Sequence, residues 1–147
     1  MFGGVTNLNL DPKNRFAIPS RYRSELQNNH DNLLVITLES SQCLVIYPKR
    51  LWEVVRDKIQ NLPTSAHPIV KSYQRLFLGY AETVEIDKAG RILLPSILKK
   101  LVNLNKDLVL VGLGNYFELW NQDLWLNETE KALLASQDEL AKLLSGT

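Results

Sequence analysis

The 147-residue chain contains one cysteine, one methionine and two histidines. A single cysteine, Cys43, excludes an internal disulfide and suits a reducing compartment. Its neighbours Leu44-Val45-Ile46 mark it as a small buried hydrophobe rather than a reactive thiol. No stretch approaches the run of about 20 apolar residues that a membrane-spanning helix needs. The start, Met1-Phe2-Gly3-Gly4-Val5-Thr6, lacks the basic residues and long apolar run of a secretory signal. The expectation is a cytoplasmic chain with no membrane partner.

Excess charge of one sign is also missing. Seventeen basic and 16 acidic residues leave a net charge of +1, too little to advertise a nucleic-acid binder by itself. The distribution is uneven, however. Between residues 11 and 23, Lys13, Arg15, Arg21 and Arg23 face Asp11 alone, whereas Glu128, Glu130, Asp138 and Glu139 outnumber Lys131 and Lys142 in the tail. This is a modest basic patch on a neutral body.

Catalytic and metal-binding patterns are scarce. His30 and His67 lie in loop-like passages without Cys, Asp or Glu at ligand spacing. There is no Gly-x-Ser-x-Gly and no phosphate-cradling loop, and Gly112-Leu113-Gly114 reads as a hairpin turn. Asp11 and Asp87 could be imagined as an acid/base pair. Each has an arginine four residues on, which favours the ionised form and opposes the raised pKa of a general acid. Neither an enzyme, a metal site nor a cofactor is expected.

What the chain does have is one sentence written twice. Leu10-Asp11-Pro12-Lys13-Asn14-Arg15-Phe16-Ala17-Ile18-Pro19-Ser20 returns as Ile86-Asp87-Lys88-Ala89-Gly90-Arg91-Ile92-Leu93-Leu94-Pro95-Ser96. The echo continues: Leu33-Leu34-Val35-Ile36 with Leu108-Val109-Leu110-Val111, Leu44-Val45-Ile46-Tyr47 with Phe117-Glu118-Leu119-Trp120, and Trp52 with Trp125. Two copies of one small α+β unit follow from this. Each is too short to bury a comfortable core alone, so the copies should share one and form a pseudo-twofold body. The first half spans 1–62, a linker and helix 63–79 and the second half 80–147. The Pro/Ser/Thr-rich 62–68 marks the joint.

Within each copy the spacing predicts a strand, a tight Asp-x-x-x-Arg turn and a second strand paired with the first, as in 84–86 and 92–94. Gly90 supplies the left-handed residue of the turn, and Asn14, which tolerates that region best among other residues, takes its place in copy one. The Asp side chains can accept backbone N–H groups within the turn. Pro19 and Pro95 suit the first position of helices near 20–27 and 96–102. Further strands fall near 33–38, 43–47, 107–112 and 116–120. A helix should run from Pro68 to Gly79, and Ser136-Gln137-Asp138-Glu139 has the form of a capping box. Trp52, Trp120, Trp125, Tyr47, Phe117 and Phe77 are placed for packing rather than for stacking on bases.

Arg15 and Arg91 leave these turns on a rigid scaffold. A guanidinium matches phosphate oxygens or the guanine edge, but an Asp–Arg salt bridge that merely staples each turn is the simpler reading of one copy. Duplication of Lys13/Lys88 and Arg15/Arg91, with Arg21, Arg23, Lys99 and Lys100 beyond each Pro, favours an anion-binding face.

The segment Asp87-Lys88-Ala89-Gly90-Arg91-Ile92-Leu93-Leu94-Pro95 resembles the signature of SpoVT/AbrB-type swapped-hairpin DNA-binding domains. Its doubling, with Tyr73-Gln74-Arg75-Leu76-Phe77-Leu78-Gly79 between and Arg15-Phe16-Ala17-Ile18-Pro19-Ser20-Arg21-Tyr22-Arg23 at the opening, is similar to the MraZ family of bacterial regulators. The resemblance implies an α+β fold of two tandem SpoVT/AbrB-like swapped-hairpin β-barrel halves with flanking helices. It implies a nucleoid-associated transcriptional regulator, assembled as ring-shaped homo-oligomers on double-stranded promoter DNA with direct repeats. Carried over by motif, Asp11, Lys13, Arg15, Asp87, Lys88 and Arg91 become the DNA-reading loops, with Arg23, Lys99 and Lys100 on phosphate. Asn14 departs from the family's usual Gly. Single domains of this type also serve as antitoxins, so a protein-interaction module is the rival reading. One copy and a disordered tail would be expected of it.

Overall fold

Alternating apolar residues and well-placed Pro and Asn punctuation organise the chain in the computed structural model, which describes residues 1–65, 67–135 and 137–146. Copy one contributes β1 (Phe2–Asn9), β2 (Arg15–Ala17), α1 (Ser20–His30), β3 (Leu33–Leu38), β4 (Cys43–Pro48) and α2 (Lys49–Gln60). Helix α3 (Pro68–Phe77) leads into copy two. That copy contains β5 (Glu82–Glu85), β6 (Arg91–Leu93), α4 (Ser96–Leu101), β7 (Asp107–Gly114), β8 (Phe117–Asn121), α5 (Gln122–Leu133) and α6 (Gln137–Leu144). The fold is mixed α+β, with antiparallel strand pairs throughout the described residues.

The strands on either side of each Asp-x-x-x-Arg turn do not pair with each other, contrary to the local pairing that the sequence predicts. β1 pairs with β7 of the other copy, Phe2 opposite Gly114 through Asn9 opposite Asp107. β5 pairs with β3, Leu33 opposite Glu85 through Ile36 opposite Glu82. The short strands β2 and β6 then meet one another, Phe16 opposite Ile92. The resulting six-stranded order, β1-β7-β8-β4-β3-β5, reads alike from either end when the copies are exchanged. Burial explains the crossing. A local hairpin would leave each half to build its own small core, whereas crossed strands let one core serve both.

That core is filled copy for copy. Leu10, Phe16, Ile18, Tyr22 and Leu26 pack in one cluster with their repeat equivalents Ile86, Ile92, Leu94, Leu98 and Val102, and all ten are buried. Phe117 on β8 lies at 4.4 Å from Phe2 and 5.2 Å from Tyr22 between ring centres, joining copy two to copy one. On the opposite face of the large sheet, Val35, Val45 and Tyr47 meet Trp52 and Phe77 of α2 and α3. Cys43, Val109 and Trp120 meet Leu124 and Trp125 of α5. Burial pushes the Cys43 thiol up to about 12, as suits a small hydrophobe. Thr37 Oγ1 donates to the Phe77 carbonyl at 2.5 Å, tying α3 to the sheet.

Element limits differ modestly from the sequence pattern. α1 continues to His30, where Asp31 adopts φ 54° and ends it. α3 ends at Phe77 rather than Gly79. Gly112-Leu113-Gly114 is not a turn but the end of β7. Gly112 serves close strand approach instead, since a Cβ there would stand 2.8 Å from Gly3 N. α6 begins at Gln137, and Ser136 of the expected capping box lies outside the described residues. Among the described residues, no helix is long and apolar enough to cross a membrane.

Candidate nucleic-acid interface

The two Asp-x-x-x-Arg turns have the same internal wiring. Asp11 Oδ1 accepts from the backbone N–H of Lys13 at 2.9 Å and of Arg15 at 2.8 Å. Asp87 Oδ1 accepts from Ala89 at 2.9 Å and Arg91 at 2.8 Å. Backbone bonds from Asp11 N to Arg15 O and from Asn14 N to Asp11 O close the first turn, and the equivalent pair closes the second. The left-handed residues are Asn14 at φ 61° and Gly90 at φ 78°, so asparagine supports the turn as glycine does. In both turns the arginine backbone N–H is the main cause that holds the carboxyl below the usual carboxylate range, against a smaller opposing effect of burial.

The turns do not stand apart. Pairing of β2 with β6 brings them together, and two further bonds cross between copies: Ile18 N donates to Gly90 O at 2.9 Å and Leu94 N to Asn14 O at 2.8 Å. Four charged side chains consequently form one cluster. Arg15 Nε donates to Asp11 Oδ2 at 2.8 Å. Arg91 Nη1 lies 3.8 Å from the same oxygen, while its Nε stands 3.7 Å from Asp87 Oδ2 and, though buried, makes no hydrogen bond among the described residues. The stapling contact is therefore present in both turns, close in the first and looser in the second. It leaves the Nη ends of Arg15 without a hydrogen-bond partner among the described residues, so stapling and outward reading are compatible.

The remaining basic residues divide. Lys13, Lys88 and Lys100 are exposed. Arg23, on α1, donates from Nε to Ile18 O at 2.9 Å and lays its guanidinium against Gly90 of the other copy's turn. Lys99, on α4, donates from Nζ to Asn14 Oδ1 at 2.9 Å, again across copies. Arg21 turns away to Thr6 Oγ1 at 2.6 Å and covers the Tyr22 ring. Hollows of about 360 and 370 Å³ lie behind the second and first turns. Lys106, which sequence reasoning passed over, lines the hollow beside Asp11 and Lys99. No repeat partner singles it out, so spacing alone carried no signal for it.

A family model described as "MraZ protein, putative antitoxin-like" matches residues 1–69 and again residues 77–144. The chain belongs to the MraZ family. The two matches start 76 residues apart, the separation of Asp11 from Asp87, so each MraZ unit carries one of the wired turns. A protein of Chromobacterium violaceum called "Transcriptional regulator MraZ" is 49% identical over 144 residues, 98% of this chain and 97% of that one. Proteins of the same description from Thiobacillus denitrificans and Neisseria meningitidis are each 41% identical, over 99% and 100% of this chain and 98% and 97% of theirs. The resemblance that the doubled motif carries is thus borne out across nearly the whole chain.

Proposed function

We propose that this MraZ-family chain is a transcriptional regulator, not an enzyme, which binds double-stranded DNA in a sequence-specific manner through its paired turns. The observation that carries the reading is the joining of two identically wired Asp-x-x-x-Arg turns through β2 and β6. Asp11 fixes the Nε end of Arg15 and leaves the Nη pair to present two parallel donors, the geometry that matches the O6 and N7 acceptors of guanine. Arg91 stands at the equivalent place in the second turn, held more loosely by Asp87 at 3.7 Å and with its Nη1 3.8 Å from Asp11 Oδ2. Lys13 and Lys88 at the turn tips, and Arg23, Lys99 and Lys100 behind them, supply the charge that positions the phosphate backbone.

The fold is read as two SpoVT/AbrB-like halves, 1–62 and 80–147, joined by 63–79 and exchanging their first strands in swapped-hairpin fashion. The crossed pairing of β1 and β5 supports that reading. A net charge of +1 gives one protomer little electrostatic affinity, so ring-shaped homo-oligomers on direct repeats upstream of the chain's own division and cell-wall operon complete the proposal, in the cytoplasm at the nucleoid. The alternative is an antitoxin-like or scaffold protein-interaction module, in keeping with the family's description as antitoxin-like.

A binding titration on the duplex upstream of the chain's own gene, repeated across salt concentrations, tests it. Selective binding over an unrelated duplex is the expected result. Equal affinity for both, or a stoichiometric protein partner without DNA affinity, sends the reading to the alternative.

A further inference from the structure

Two exchanges separate the turns, and they occur together. Gly90 faces Arg23, while Asn14 faces Lys99. Each pair stands at equivalent positions of the repeat, 14 with 90 and 23 with 99. In each, the base comes from the helix of one copy and the left-handed residue from the turn of the other.

Space dictates the pairing. A Cβ on Gly90 would collide with the Arg23 guanidinium. That guanidinium is not free to swing aside without cost, because its Nε is bonded to Ile18 O. Ile18 N in turn donates to Gly90 O, so Arg23, Ile18 and Gly90 form a closed chain of contacts across the copies. At the other turn the slimmer lysine leaves room for a side chain, and the Asn14 amide fills it and accepts the charge-assisted bond. Leu94 N donates to Asn14 O there, mirroring Ile18.

We propose that Arg23 and Lys99 are positioning residues, each locking the other copy's turn, and that the identity of the left-handed residue in a turn is set by the base that faces it. Large base with glycine and slim base with asparagine are two solutions of one lock. Breaking the match releases a turn and the arginine it carries, while the charge facing phosphate stays the same. The consequence for DNA rests on the binding role assigned above; the lock itself does not.

Charge-conserving swaps test this on the full chain. Gly90→Asn keeps a residue that tolerates the left-handed region but drives Arg23 from its carbonyl. Binding to the upstream duplex should weaken about tenfold, the loss of one charge-assisted hydrogen bond. Adding Arg23→Lys should rebuild the Asn–Lys solution and return affinity to near wild type. Conversely, Lys99→Arg should weaken binding, and Asn14→Gly added to it should restore it. Double variants no tighter than the singles, or singles that bind as wild type, overturn the lock. Where Gly90→Asn fails to fold, the Lys99→Arg arm, which alters no backbone conformation, decides.

Amide hydrogen exchange at Ile18 and Leu94 reads the lock without DNA. Faster exchange at Ile18 in Gly90→Asn and at Leu94 in Lys99→Arg, reversed in the double variants, supports it, and unchanged exchange refutes it. Failure of the wild type to bind the duplex sinks the DNA reading instead, and the exchange result still decides the lock.

Discussion

Arg91 Nη1 lies 3.8 Å from Asp11 Oδ2, an ion pair between the second turn and the first. Asp11 thereby faces two arginines, its own Arg15 at 2.8 Å and Arg91, whereas among the described residues Asp87 is within ion-pair reach of Arg91 alone, at 3.7 Å. The pseudo-twofold is broken at the point where the turns meet. Asp11 is the member whose loss disturbs both.

Asp11→Asn should therefore reduce discrimination between the upstream duplex and an unrelated one more than Asp87→Asn does. Each change also removes a negative charge, which raises unselective affinity. The ratio of the two affinities, not the bare affinity, is the measurement that separates these effects. Equal ratios in both variants would show that the 3.8 Å contact does not couple the turns.

Arg15→Ala and Arg91→Ala should each weaken binding by roughly 1–3 kcal/mol, the value of a good bidentate base contact. Both side chains are only part-exposed and lie at the rim of the core rather than in it, so circular dichroism and thermal midpoints should stay close to wild type. Unchanged titration curves for both variants would remove the arginines from the interface.

Much of this was legible in the sequence, and the physical reason is locality. The turn is wired by contacts no more than four residues apart, so Asp, Gly or Asn, and Arg at fixed spacing announce it. Pro19 and Pro95 likewise mark the starts of α1 and α4, though as N-cap residues just before each helix rather than in its first position. What spacing does not announce is which strand pairs with which. Val84 and Ile92 read as neighbours along the chain, yet β5 goes to β3 and β6 to β2. That choice depends on core burial summed over both copies. The contacts of Arg23 with Gly90 and of Lys99 with Asn14 share this non-local origin.

The crossing of strands has a direct consequence for stability. A fragment ending at Leu62 keeps β3 paired with β4 but loses β7 from β1, β6 from β2 and β5 from β3. It should be unfolded or should pair with a second copy of itself. Sedimentation together with circular dichroism checks this, and a stable monomeric fragment would contradict the shared core. In the full chain, Phe117→Ala removes a fully buried ring that touches Phe2 and Tyr22. It should cost about 3–5 kcal/mol in denaturant unfolding.

The turn carboxylates set an acid limit. Asp11 and Asp87 titrate below the ordinary value of 3.8 in the folded chain. A depressed folded pKa gives stability that is present above the unfolded value and lost as pH falls through the folded one. The turns should therefore be indifferent to pH above about 5 and loosen only below the ordinary carboxylate range. Carboxyl-carbon NMR titration should place both midpoints under 3.8. A midpoint above it would mean that the backbone bonds to these carboxylates do not persist in solution.

Multivalency gives the sharpest test of the regulator as a whole. One protomer offers few exposed bases near the turns beyond Lys13 and Lys88 within them and Lys100 on α4, and its net charge is only +1. Tight binding then requires several protomers joined, each further contact being made at high effective concentration once the first has formed. Cutting an operator from several repeats to one should cost far more affinity than the loss of sites in proportion. Raising salt should weaken binding steeply on the intact operator, because each neutralised phosphate releases counterions, and less steeply on a single repeat with fewer phosphates engaged. Titration of both duplexes across a salt series, with the oligomeric state followed by sedimentation, reads the two effects together. A monomer that held one repeat as tightly as the assembly holds several would refute the multivalent mechanism while leaving the role of the paired turns intact.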